Sequence, residues 1–165
     1  MSWLYMGIGV DGWRRVTLND READESVEWD LALRRQQIRL NSGSSGPGCT
    51  QGLAMIDWGW DSLIELPEGL IFSDESFYSD ECVLVEGATG LPGMPRLVVD
   101  GWWRDQDCVA MTGQIAVIRP VVGGAIKMQI LSYYESGQEG CDAGEGGARG
   151  GGLYEIRWQW LVSPG

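Results

Sequence analysis

The sequence predicts an all-β fold of antiparallel sheets with long loops and little or no helix. Three observations predict it. Apolar residues recur at every second position in several runs, the period of a strand. Twenty-five glycines supply turns, and nine tryptophans suit the pleated surface of a sheet. No run keeps a helical apolar period over the length of an ordinary helix. With 165 residues, 44% of them hydrophobic, the chain reads as a single domain over residues 1–165 with a substantial core.

Met1–Val10 (MSWLYMGIGV) is too short and too rich in glycine for an export signal. If the protein is exported, that signal was removed ahead of this sequence. Trp13–Leu18 reads as a short strand, and Asn19–Ser26 as a polar turn or loose loop. Trp29, Leu31 and Leu33 then alternate, but Ile38 and Leu40 carry the opposite parity. A period-two strand changes parity only through an extra residue or a turn, so a bulge or tight bend is expected at Arg34–Gln37. After Asn41, the run SGSSGPG cannot continue a strand and must form a shaped loop.

Leu53–Trp60 reads as a short strand or an aromatic-rich loop, and Leu63–Leu66 as a brief strand before a turn at Pro67–Gly69. Val83–Val85 is a candidate strand, Gly87–Pro95 reads as a loop, Leu97–Val99 leads to Gly101, Trp102 and Trp103, and Arg104–Thr112 reads as a second loop. Ile115–Val122 and Ala125–Tyr134 form the clearest hairpin, turning at Gly123–Gly124. In its second arm Ile126, Met128 and Ile130 share one face, while Lys127, Gln129 and Leu131 share the other. The segment 137–152 has little side-chain mass and reads as a mobile surface loop inside the domain. The closing strand, Leu153–Leu161, turns Tyr154, Ile156, Trp158 and Trp160 inward and Glu155, Arg157 and Gln159 outward.

The net charge of −12 argues against nucleic acid and against anionic membrane surfaces, both of which call for lysine and arginine. No apolar run is long enough for a transmembrane helix. There is no histidine, so histidine-based catalysis and histidine metal ligation are excluded. No nucleophile elbow and no phosphate-binding loop is present. The acids Asp74, Glu75, Asp80 and Glu81 read as solvated loop acids, and Asp105 and Asp107 lack the remainder of a calcium loop. No enzymatic constellation emerges. The four cysteines Cys49, Cys82, Cys108 and Cys141 form no C-x-x-C pair. As a scattered, even set they are disulfide candidates in an oxidising compartment, with the pairing open.

Three stretches resemble the HmuY family of secreted, mostly lipid-anchored bacterial haem-binding proteins. WDLALRR followed by IRLNSGSSGPG resembles the family's strand and glycine-rich loop. IAVIRPVVGGAIKMQILSYY resembles its late hairpin, and LYEIRWQW its closing strand. The middle, about Asp57–Asp100, matches weakly. The resemblance implies an extracytoplasmic protein (periplasmic, anchored to the outer membrane or secreted) that holds haem between two loops. The implied partners are haem or a similar planar ligand and an outer-membrane receptor, and no metal is implied besides haem iron. The family's second axial ligand lies just after the tryptophan before the late hairpin, a position that falls on Cys108 or Met111. The first comes from the middle of the chain, where Met94 is the soft donor on a loop. Trp102 and Trp103 would line the haem pocket, and Arg96 and Arg104 would meet the propionates. A HmuY-like β-domain that has lost haem and binds another ligand or a protein partner is the alternative.

Overall fold

The computed structural model describes residues 2–87 and 93–163. In chain order the elements are β1 (Leu4–Gly9), β2 (Gly12–Val16), α1 (Asp20–Ala23), β3 (Leu31–Arg34), β4 (Gln37–Leu40), β5 (Gln51–Met55), β6 (Trp103–Asp105), β7 (Val109–Met111), β8 (Ile115–Arg119), β9 (Ile126–Tyr134), α2 (Glu139–Asp142) and β10 (Gly151–Trp160). Two four-stranded sheets run β2-β1-β3-β4 and β10-β9-β8-β5, and β6-β7 makes a small third. Every pairing between these strands is antiparallel. Both helices are a single short turn, and among the described residues no helix is long and apolar enough to cross a membrane.

The change of parity between Leu33 and Ile38 is the β3–β4 hairpin. Its register matches Leu31 with Leu40 and Leu33 with Ile38, so all four side chains share one face although their numbers differ in parity. Arg35 takes the left-handed conformation that the turn requires, with φ of 51°. These four pack with Ile118, Ile126, Met128 and Ile130 of the second sheet and with Trp102, Trp103 and Val109, forming the core between the sheets. Full burial of one such side chain stabilises the fold by about 1.5–3 kcal/mol.

The outer faces are covered as well. On the first sheet, Trp29 is fully buried against Tyr5, with ring centroids 5.1 Å apart, and its indole N–H donates to the Ala23 carbonyl at 3.0 Å. On the second, Met55, Leu63, Ile115, Val117 and Leu161 form a separate cluster beneath Trp60 and Phe72.

The glycine-rich loop after β4 wraps Asn41. That side chain donates to the carbonyls of Ser26 and Trp29 and accepts from the Gly48 amide at 2.9 Å. A Cβ at Gly46 would collide with the Asn41 side chain, and one at Gly48 with the Asn41 carbonyl. Glycine is required at both positions by this close approach.

Several expectations need correction. β1 was not anticipated. Asn19–Ser26 contains α1, started by a reciprocal cap in which Asn19 accepts from the Glu22 amide and Glu22 accepts from the Asn19 amide. The expected strands at Leu63–Leu66 and Val83–Val85 reduce to the single bridges Glu65–Val162 and Tyr78–Leu84. Arg104–Thr112 is no loop but carries most of the β6–β7 hairpin. The late hairpin pairs only as far as Ile118 with Ile126, leaving residues 119–125 as a wider connection than the two-glycine turn expected. Within 137–152 the structure places α2, with Gln138 and Cys141 buried. Of the loop expected at Gly87–Pro95, residues 88–92 lie outside the described residues.

Candidate functional site

The structure gathers the two methionine candidates around Trp103. Met111 is the direct cross-strand partner of Trp103 in the β6–β7 pair, so both side chains stand on the same face. Met94 lines a cavity of about 20 Å³ together with Gln37, Asp100 and Trp103, and the Gln37 side-chain amide reaches its sulfur at 3.7 Å. That space holds about one water molecule.

Beside Trp103 lies an aromatic cluster. Trp102 is 3% exposed and Trp103 8%, with ring centroids 6.4 Å apart. Trp102 also meets Tyr133 at 6.0 Å and Tyr154 at 5.6 Å. The Tyr154 hydroxyl donates to the Arg35 carbonyl, tying β10 to the β3–β4 turn. Burial pushes the pKa of this phenol up. Trp102 therefore serves the core, whereas Trp103 also borders the cavity.

The Met111 side is held firmly. Cys108 and Cys141 form a disulfide that joins the β6–β7 hairpin to α2. Gln138 donates to the Val109 carbonyl at 2.8 Å and accepts from the Tyr133 amide at 3.1 Å. Asp142 accepts from the Met111 amide at 2.7 Å. Among the described residues, backbone bonds join the Met94 segment to the stretch before it: Gly87 N–H donates to the Met94 carbonyl at 3.0 Å and Arg96 N–H to the Val85 carbonyl at 2.7 Å.

The remaining candidates separate. Cys108, spent in the disulfide, has no thiolate to offer and leaves the axial set. Strand alternation puts Arg104 on the face opposite Trp103. Arg96 lines a second, larger cavity of about 690 Å³ with Tyr78, Asp80, Glu81 and Asp100. Burial raises the pKa of Asp100, and the Arg96 charge partly offsets the rise.

Glu75 is a further correction. It is 0% exposed, not a solvated acid. Its carboxylate accepts the Leu40 amide at 2.9 Å and the Val98 amide at 2.7 Å, pinning β4 to the segment that leads to Trp102. Burial pushes its pKa up to about 7 against those two hydrogen bonds. No periodicity marks Glu75, Gln37, Gln138 or Asp142 as structural.

Cys49 and Cys82, both proposed as disulfide partners, are exposed and free. A thiol reagent is therefore expected to titrate two cysteines in the native chain and four after reduction under denaturing conditions. Fewer than two native thiols would contradict this pairing.

No protein-family model matches the sequence, and no curated protein does. Solved structures do resemble the fold. A protein of Bacteroides fragilis NCTC 9343 assigned as a lipoprotein is 15% identical, with a TM-score of 0.60 over 99% of this chain and 84% of that one. A protein of Bacteroides vulgatus ATCC 8482 assigned as HmuY-like and haem-binding is 13% identical, with a TM-score of 0.57 over 95% of this chain and 84% of that one. The apo HmuY analogue of Tannerella forsythia is 15% identical, with a TM-score of 0.53 over 97% of this chain and 80% of that one. Likeness at this identity establishes an architecture of the HmuY type.

Proposed function

We propose that this HmuY-like chain is an extracytoplasmic haem-binding protein that holds haem between the Met94 and Met111 segments, against Trp103. One observation carries the reading: Met94, which lines a cavity with Trp103, and Met111, its cross-strand partner, come from separate segments to the same buried indole. Thioethers are soft donors suited to haem iron, and an indole face suits a flat macrocycle. The donor set fits haem. The cavity between Met94 and Trp103 admits the ring only if one wall yields. Bound there, haem would supply the iron centre. The chain's own residues would hold it: the Met94 and Met111 sulfurs as donors to the iron, Trp103 as a wall, and Gln37 as a hydrogen-bond donor beside Met94. The disulfide and the lipoprotein-like neighbour support an extracytoplasmic location. An outer-membrane receptor is the partner such a carrier would serve.

Titration with haemin tests the reading. A sharp Soret band is expected, shifted in Met94→Ala and in Met111→Ala, with binding weakened about tenfold or more in each. A featureless absorbance, identical in the natural chain and both variants, overturns it. The closed cavity favours a second reading under that outcome: a HmuY-like domain that takes another ligand or a protein partner.

A further inference from the structure

The strand β10 ends the second sheet, and among the described residues only β9 pairs with it. Its outer edge can be read from the two residues that follow it. The Leu161 amide reaches inward to the Ala125 carbonyl, and the Val162 amide reaches outward to the Ile64 carbonyl. Strand alternation then turns the N–H and C=O groups of Tyr154, Ile156, Trp158 and Trp160 outward. Two shifts of register mark the β9–β10 pair: Leu131 is an extra residue on β9 between Glu155–Ser132 and Ile156–Ile130, and β10 carries two residues more than β9 between Gly151–Tyr134 and Glu155–Ser132. From Leu153 to Trp160 the exposure of β10 itself alternates without interruption.

We propose that this edge pairs with the same edge of a second copy of the chain, antiparallel about a two-fold axis at Ile156. Such a pair sets each residue opposite the one equally far beyond Ile156. Glu155 then faces Arg157 of the second copy, and Arg157 faces its Glu155. On the other face Tyr154 meets Trp158 of the second copy. Opposite charges and aromatic pairs directly across strands stabilise a sheet, and like charges directly across destabilise it. Centring the pair on Glu155 would oppose two carboxylates, and centring it on Arg157 would oppose two guanidinium groups. Charge thus selects the Ile156 register.

Arg157 is held ready for this role. Its Nε donates to Gln129 at 2.7 Å and its guanidinium lies 4.2 Å from the Trp60 ring centroid, which leaves the terminal nitrogens for a carboxylate. Beyond Trp160 the edge is taken by Ile64–Leu66. The strand of the second copy must turn away there, and it does so at its own Gly150–Gly152. The result is an isologous contact that removes an exposed edge and merges two sheets into one.

Sedimentation equilibrium tests the contact on the full chain, with Cys49 and Cys82 alkylated so that thiol-linked dimers cannot form. The natural chain is expected to dimerise reversibly. Glu155→Arg and Arg157→Glu should each weaken association about tenfold or more. The exchanged pair, Glu155→Arg with Arg157→Glu, should restore it to within about threefold, because the same charges then meet with their places reversed. Glu155 is exposed, so at concentrations too low for association the melt of Glu155→Arg should match the natural chain. Arg157→Glu also gives up its contacts with Gln129 and Trp60, a loss the exchanged pair shares and that therefore does not account for any recovery of association. A natural chain monomeric up to about 1 mM overturns the proposal. So does a dimer that survives both single reversals, or an exchanged pair no stronger than the single variants. None of these outcomes bears on haem, which is read by absorbance.

Discussion

Raising the pH from about 4.5 to about 7 is expected to cost the native protein roughly 3 kcal/mol of stability through Glu75. The sign follows from the shift. The folded carboxyl titrates at about 7 and the unfolded one at about 4.5, so between those values the native state holds a proton that the unfolded state has released. Stability from this group is fully present below the unfolded pKa and is lost as pH rises through the folded one. Urea midpoints at pH 5 and pH 8 would read the loss, and Glu75→Gln should flatten that part of the profile. If the Gln variant keeps a parallel profile, Glu75 is not the titrating group. Glu75→Ala should destabilise the fold at every pH by about 2–5 kcal/mol, since it strands the Leu40 and Val98 amides without an acceptor.

Removing the Cys108–Cys141 bond is the second large effect. It closes a loop of sequence separation 33, and in the chain-entropy account its loss costs about 2–4 kcal/mol. The Cys108→Ser, Cys141→Ser double variant should show this in denaturant unfolding. Hydrogen exchange should localise it. The Val109 amide, bonded to the Tyr134 hydroxyl, and the Met111 amide, bonded to Asp142, should exchange faster, while the β8–β9 ladder stays protected. Uniform acceleration across both regions would mean that the bond supports the whole fold and not the Met111 wall.

The alternating elements were legible because their signal is local. The parity change between Leu33 and Ile38 marked the hairpin turn, and β10 presents the faces expected from Tyr154 to Trp160. What was illegible depends on residues distant in sequence. Lys127 lies on the predicted outer face of β9, yet it is 1% exposed, because Trp60 covers it and accepts its ammonium at 2.6 Å through the backbone carbonyl. Glu75 looks like its acidic neighbours until amides from two remote segments are brought to it. The three-residue strands β6 and β7 are too short for a period to show. The loop expected at Asn19–Ser26 overlooked α1, although Asn19 and Glu22 have the spacing of a reciprocal cap. At the candidate site, sequence supplied the methionines and Trp103. It did not supply Gln37, Gln138 or Asp142, whose roles exist only once the chain is folded.

The glycine-rich loop around Asn41 follows the end of β4, whereas Gln37 and Met94 meet at its beginning. Its glycines answer to steric fit, Gly46 and Gly48 against Asn41 and Gly43 against the Glu75 carbonyl. The two ends of β4 therefore answer to different parts of the chain. A change around Met94 would reshape the small cavity at its beginning while the packing of Gly46 and Gly48 on Asn41 at its end stayed as it was.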